Sequence, residues 1–416
     1  MKDAQTDFVQ GRRRGLKTGP KFLAVDFFCG AGGTARGLID AGGYLIAGID
    51  KDPRCEKTFV DNNVNIYLDH GDPHYLSLDI FPRSKDYPDG RQKDLIEQLA
   101  SLIGHYREQY PDLPLLFAIC APCQPFTRLS RKELTPERKA ARKRDSNLLR
   151  ETLKFVRRFR PDLVLSENVA GINNPRYGGV WESFRNGLDC LGFITGSEVV
   201  CSSKFGIPQL RKRSVLLAAR RALVGKDQMS DPWSNEFLVP AFDPDADLIS
   251  VKQAIGHLPS IKAGELHPDV PNHRARSLSE LNQLRIEVAK PGQSNEYMEN
   301  TLYGDLSLEC HRDVNERLGQ RCFSDVYTRM HPDRPSPTIT TKCHSISNGR
   351  FGHFDQKQAR GISLREAAIL QSFTEDYVFY PVDQIEPIAR MIGNAVPPKL
   401  AAFYAKHLVN SICYGD

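Results

Sequence analysis

The chain has 416 residues, 40% of them hydrophobic and 26% charged, with a formal net charge of +5. That is long enough for two domains around a sizeable core, and the composition excludes a fibrous or disordered chain. No apolar run approaches the roughly 20 residues of a membrane helix, and so mild a charge shifts attention from the total to where basic residues cluster.

Residues 1–20 carry Arg12, Arg13 and Arg14 with no apolar segment behind them; a basic arm is expected, not a secretory signal. From Phe22 the chain reads FLAVDFFCGAGGTARGLIDAG. The pattern predicts an apolar strand to Phe28, a glycine turn at Gly30, Gly32 and Gly33, and a helix closing near Gly42. A second apolar run, YLIAGID, ends on Asp50. Strand, glycine turn, helix, then a strand ending in an acid is the opening of a nucleotide-binding βαβ unit. Glycine lets the backbone pass close to a ligand, and the acid is placed to accept ribose hydroxyls. The G-A-G-G turn lacks the last glycine of the dinucleotide fingerprint, so alone it separates only weakly from a tight turn beside a surface aspartate.

A helix is predicted over DLIEQLASLIGHYREQY, within a long 81–114 connection. Next come a strand, PLLFAIC, ending at Cys120, the helix-like NLLRETLKFVRRF, a strand PDLVLSENV with Glu167 at its tip, and a later strand SVLLAA. Such alternation predicts an α/β fold with a doubly wound, mostly parallel sheet. After about residue 221 proline, aspartate and histidine become frequent and the alternation stops. Helices return with SLREAAILQSF and IEPIARMIGNAVPPKLAAFYAKHL. The expected organisation is an arm at 1–20, a main domain at 21–220 plus 361–416, and a smaller irregular domain at 221–360.

In sheets of this kind function sits beyond the carboxyl ends of the strands. The glycine turn, the ICAPCQPF loop and Glu167 all fall there. Cys120 and Cys123 admit three readings: half a zinc site, a redox pair, or one nucleophile. Ten cysteines are scattered along the chain without a second C-x-x-C, and no histidine pair follows at finger spacing; zinc is the weakest reading and no metal is expected. A disulfide framework does not suit so long a chain without a signal sequence, and a reducing, cytosolic compartment does. Cys120 still belongs to the apolar strand, where cysteine is usually an inert core residue. Cys123 stands between Pro122 and Pro125 in a stiffened loop, as a posed nucleophile would. Glu167 at the end of a buried strand is unlike a plain surface acid, because buried carboxylates are rarely left unpaired. Arg211 and Arg213 share a face if they open a strand. They would then anchor that glutamate or grip a substrate oxygen, although by spacing alone solvated cations are the simpler reading. Residues 128–144, opened by Arg128, Arg131 and Lys132, hold eight Lys or Arg against two Glu. A loop of that charge beside a nucleophile suits a phosphate backbone.

In this order DFFCGAGG, PCQPF, ENV, Q-x-R-x-R from Gln209, REAAILQSF and GNAVPP resemble the ordered motifs of the DNA cytosine-5 methyltransferases of bacterial restriction-modification systems. The resemblance covers most of 22–220 and 361–400. It implies the class I S-adenosylmethionine-dependent methyltransferase fold, with 21–220 plus 361–416 catalytic and 221–360 a target-recognition domain. It implies transfer of a methyl group from S-adenosyl-L-methionine to carbon 5 of a cytosine flipped out of double-stranded DNA, through a covalent bond from Cys123 to carbon 6. Glu167 would sit on the target ring, held with it by Arg211 and Arg213. Phe28, Gly30, Gly32, Gly33, Asp50 and Asn394 would line the cofactor pocket, with Asp79 preferred over Asp72 as the acid at the adenine. Gln209, together with Thr338 and Thr340 in PSPTITTK, joins Arg128, Arg131 and Lys132 as DNA contacts. A monomer in the bacterial cytoplasm at the nucleoid is expected, with a cognate restriction endonuclease acting separately.

Three other readings remain. A family branch that methylates cytosine in transfer RNA shares the catalytic set, although 140 or so irregular residues favour duplex reading. A catalytically dead DNA-binding homologue is opposed by retention of Cys123, Glu167 and the glycine turn together. A nicotinamide oxidoreductase leaves the cysteine loop unexplained.

Overall fold

The computed structural model describes residues 19–67, 73–122, 147–174, 179–224, 239–320 and 322–412. Strand β1, Phe22–Phe27, is followed by helix α1 (Gly33–Asp40), β2 (Gly43–Ile49), α2 (Glu56–Asn62) and β3 (His74–Leu76). Then come α3 (Gln92–Gln109), β4 (Leu115–Ile119), α4 (Leu148–Phe159), β5 (Leu163–Val169), α5 (Val180–Cys190) and β6 (Phe193–Cys201). Two residues, Gln209–Leu210, make β7, and β8 runs Lys212–Arg220. The main sheet has the order β3-β2-β1-β4-β5-β8-β6. Pairing is parallel except on both sides of β8, which alone runs against the other six. The mostly parallel α/β sheet expected from the alternation is therefore present. Its central strands are buried on both faces, as helices packed on each side require: every residue of β1, β2 and β4 is buried.

Chain order reverses between β1 and β4, neighbours with Leu23–Phe27 against Leu115–Ile119. This is the topological switch point, where ligands of open α/β sheets bind outside the carboxyl ends. Phe27, Phe117 and Phe155 pack together beneath it, with ring centroids 5.1 and 5.5 Å from Phe27, and fix the two strand ends in register.

Grouped by contacts, the chain forms two compact units. The first comprises Met1–Cys201, Lys212–Asp243 and Pro398–Asp416; the second comprises Ser202–Arg211 and Pro244–Pro397. These limits differ from the expected 221 and 360. Residues 361–397, expected with the sheet, pack instead with the irregular segment, and so do residues 202–211. The last helix of the chain, Pro398–Asn410, does return to the sheet unit, against α1. Gly37 is where they meet: a Cβ there would lie 2.4 Å from the Pro398 carbonyl oxygen and 2.6 Å from the Ala401 Cβ. Because backbone cannot yield as a flexible side chain does, Gly37→Ala should destabilise the sheet unit by about 1–3 kcal/mol, read as a lowered midpoint in a urea titration.

The second unit carries α6 (Val251–Ile255), α7 (Glu280–Val288), α8 (Glu309–Leu318), β9 (Ser336–Pro337), α9 (Leu364–Leu370) and α10 (Ile385–Asn394); the returning helix is α11 (Pro398–Asn410). With so little regular structure, buried carbonyls need other donors. Arginines supply them. Arg329, fully buried, donates to the carbonyls of Ile286, His353, Asp355 and Gln358 at 2.8–3.1 Å. Arg365 donates to those of Pro271, Thr374 and Tyr377. Among the described residues no helix is long and apolar enough to cross a membrane.

Candidate functional site

The glycine turn is built as its sequence requires. Gly30 and Gly32 have φ of 49° and 92°, and Phe28 itself stands at φ 61°. Glycine adopts that region freely, whereas for an aromatic residue it is an outlier of the sort found where a site dictates the backbone. Gly33 opens α1, and Gly32 caps it. Asp50, one residue past β2, closes the turn from the side: its carboxylate accepts the Gly30 amide at 3.0 Å and the Asp52 amide at 2.9 Å. Burial raises the Asp50 carboxyl, and those two amides act in the opposite direction. Each oxygen keeps a lone pair for a hydroxyl donor. Asp79 lies three residues beyond β3, half-buried, with Oδ1 accepting the Phe81 amide at 2.9 Å. Asp72 lies outside the described residues.

Cys123, Arg128, Arg131 and Lys132 also lie outside them, but the chain is described up to Pro122. That approach is fastened to β5. Ser166 Oγ donates to the Ile119 carbonyl at 2.5 Å, and Asn168 Nδ2 to the Ala121 carbonyl at 2.9 Å. The two anchors flank Glu167, so the strand that ends at the PCQ loop is tied on either side of the glutamate. Cys120 is one residue past β4. Desolvation pushes its thiol well above the usual range, with the Glu167 and Asp26 carboxylates adding to the rise. A thiol so raised is a poor nucleophile at neutral pH, which agrees with a packing role.

Glu167 is 9% exposed. Arg213 Nε stands 2.8 Å from its Oε1, both side chains largely covered. β8 runs antiparallel to β5 and sets Arg213 opposite Val169, two residues from Glu167. The neighbouring arginine does something else. Arg211, 3% exposed, belongs to the second unit and donates to the carbonyls of Ile339, Gly393 and Ala395 at 2.9–3.3 Å. The expected pair therefore divides: Arg213 holds the glutamate, and Arg211 ties together segments of the second unit.

Gln209, expected at DNA, is fully buried; it donates to the Leu370 carbonyl and to Gln371, and accepts the Ile339 amide at 2.9 Å. As placed, it has no free surface for DNA and serves instead to hold β7 against β9. Thr338 donates to the Leu210 carbonyl at 2.9 Å, while the Thr340 hydroxyl accepts the Lys342 amide at 3.2 Å. Asn394 is exposed at the end of α10. Sequence reasoning missed Ser166 and Asn168, although Asn168 is the middle letter of ENV. It also missed Asp26, whose only sign was an acid inside an otherwise apolar strand. Asp26 is fully buried, neither oxygen has a well-aligned hydrogen-bond partner, and desolvation raises its carboxyl well above the ordinary range against the pull of the Ala35 amide.

Glu167→Gln keeps the shape of the side chain but removes the exchangeable proton and the charge facing Arg213. Turnover should fall by about 10²–10⁴-fold, the range for a positioned acid or base, with DNA affinity held within a factor of a few; steady-state methyl transfer at several DNA concentrations separates the two.

Residues 91–410 match the family of C-5 cytosine-specific DNA methylases. A curated relative, the Type II methylase M.HgiDII of Herpetosiphon aurantiacus, is 32% identical over 92% of this chain and 94% of its own length. The Type II methyltransferase M1.HphI of Haemophilus parahaemolyticus is 26% identical over 92% and 85%. Among solved structures, a prophage-encoded E. coli protein described as a DNA modification methyltransferase superposes with a TM-score of 0.61 at 18% identity, over 94% of this chain and 99% of its own. Spodoptera frugiperda DNMT2 gives 0.52 at 15%, over 93% and 99%. At such identities the solved structures speak to the fold alone, the class I methyltransferase sheet. The family match and the curated relative carry the assignment: the chain belongs to the C-5 cytosine-specific DNA methylases and is a DNA (cytosine-5-)-methyltransferase.

Proposed function

We propose that the protein methylates carbon 5 of a cytosine flipped out of a specific double-stranded DNA sequence, through a covalent adduct between Cys123 and carbon 6, as the modifying half of a restriction-modification pair. The observation that carries this reading is the Glu167–Arg213 pair, fastened by Ser166 and Asn168 to the strand that leads into the PCQ loop, at the switch point of the sheet.

S-adenosyl-L-methionine would supply an electrophilic methyl group on a sulfonium. The residues present fit such a ligand. Gly30 and Gly32 leave the backbone open where side chains would crowd it, and Asp50 retains acceptor capacity for ribose hydroxyls. The buried, unpaired Asp26 two residues before Phe28 makes that end of β1 favourable to positive charge. Phe28 and Asp79 are the further candidates.

The chain's own part of the chemistry follows from its groups. Carbon 5 of cytosine is too weak a nucleophile to take the methyl group unaided. Addition of the Cys123 thiolate to carbon 6 pushes an electron pair toward carbon 5, while Glu167 shares a proton with N3 and offsets the charge that develops there. Arg213 fixes the carboxyl so that it reaches one ring edge. Loss of the carbon 5 proton and expulsion of the thiolate restore the aromatic ring with the methyl in place. A base inside a duplex is out of reach of all this until it is flipped out. The basic 128–144 segment, Thr338 and Thr340 are the candidate backbone contacts.

Expression in a host without cytosine-5 methylation, followed by conversion sequencing of its DNA, tests the reading. Methylated cytosines confined to one short sequence are expected. Unmodified DNA from soluble, abundant protein would overturn it.

A further inference from the structure

Within the second unit, a cleft of about 400 Å³ is lined by Arg276, Lys342, His344, Ser345, Ser347 and Asn348. Its cations are unevenly spent. Arg276 faces Glu386 at 3.7 Å, whereas no carboxylate pairs with Lys342 among the described residues. Arg276 also fixes the state of its neighbour. Its Nη1 stands 3.2 Å from His344 Nδ1, and a guanidinium can only donate, so Nδ1 must be the accepting nitrogen. The imidazole proton therefore sits on Nε2. His344 is 4% exposed, and Nε2 has no hydrogen-bond partner. Burial, with Arg276 and Lys342 close by, lowers its basicity and keeps the ring neutral.

A buried N–H donor left unmatched is costly, and native structures rarely leave one without a reason. What surrounds this one is a set of donors: two cations, the Ser345 and Ser347 hydroxyls 2.9 Å apart, and the Asn348 amide. Their common complement is an anion presenting several oxygens. We infer that this cleft is a phosphodiester-binding site that grips the DNA backbone, with His344 Nε2 donating to one phosphate oxygen and Lys342 neutralising it. The inference rests on the duplex-DNA reading above and goes beyond it. It gives the second unit a backbone clamp made of residues in none of the motifs from which the family was recognised. Such a contact sets position and adds affinity irrespective of sequence.

The test is the salt dependence of duplex binding by the full-length chain, wild type against Lys342→Ala and Lys342→Arg, with a cognate and a non-cognate duplex. Losing one phosphate contact should flatten the slope of log K against log salt by about 0.9 and weaken binding about five- to tenfold at 0.1 M salt. The loss should be the same for both duplexes, and arginine should restore it. His344→Leu, checked for folding by its thermal melt, should lose affinity in the same sequence-independent way. Unchanged slopes in Lys342→Ala overturn the inference. So does a Lys342-dependent response of the His344 ring resonances to inorganic phosphate with DNA binding unaltered, which would mark a site for free anions. If wild type methylates and binds no duplex, the reading beneath the inference has failed, and a slope change seen only with folded RNA transfers the cleft to another substrate.

Discussion

A duplex carrying 5-fluorocytosine at the methylated position is expected to remain attached to the wild-type chain through denaturing electrophoresis, and to leave Cys123→Ala without such a band. The reason is chemical. Release of product requires the carbon 5 proton to leave before the thiolate can be expelled; fluorine cannot leave as a cation, so the methylated adduct is stranded. Removing the nucleophile removes the route altogether, and turnover should fall by roughly 10⁴-fold or more. Cys120→Ala is the informative partner experiment. Its thiol is desolvated, with Glu167 and Asp26 raising it further, so its loss should spare both turnover and the trapped adduct. A band that survives in Cys123→Ala and disappears in Cys120→Ala would reverse the assignment of the two cysteines.

The second large effect belongs to stability. Glu366, 1% exposed, receives both ends of the Arg360 guanidinium at 2.7 and 2.8 Å and also accepts the Ser363 amide at 2.7 Å, completing the capping box of α9. His353 stands 3.4 Å from the same carboxylate. Glu366→Gln leaves Arg360 buried without its counter-charge, a change that typically costs about 3–5 kcal/mol. Urea titration should show the midpoint fall accordingly. The same cluster makes the fold acid-sensitive. Burial opposes charge on Glu366, but Arg360 outweighs it and holds the carboxyl down at about 2. Its contribution is therefore complete above the ordinary glutamate range and lost as pH falls toward 2. His353 is lowered to about 4 by burial. Between its ordinary value near 6.5 and that point the unfolded chain binds the extra proton, so stability declines there too. Stability measured from pH 7 downward should drop in two stages, and the glutamine variant should lack the lower one.

Elements whose burial is simple were legible in the residues. β1, β2, β4 and β5 are short apolar runs because helices cover both faces, and each stands where its run predicts. β6 was not legible: it is an edge strand, and FITGSEVVC mixes buried and half-exposed positions without a clean period. Nor does SVLLAA say that β8 runs backwards, since direction is set by which neighbour the strand finds and not by its own side chains. The site shows the same division. Glu167 could be read as a paired buried acid from its place on a strand. The spacing of Arg211 and Arg213, however, cannot reveal that the chain passes from one compact unit to the other between them. Gln209 and Arg211 looked like surface chemistry because polar letters beside a strand usually are; here carbonyls left over by irregular backbone recruit them inward.

That passage has a practical meaning for transplantation. The second unit is made from two stretches of chain, and the shorter, Ser202–Arg211, is held by hydrogen bonds from Gln209 to Leu370, Gln371 and Ile339 and from Arg211 to Ile339, Gly393 and Ala395. Exchanging Pro244–Pro397 alone between relatives would set ten native residues against foreign partners and strand a buried guanidinium. A working chimera has to move both pieces together, so this protein's natural cassette is discontinuous.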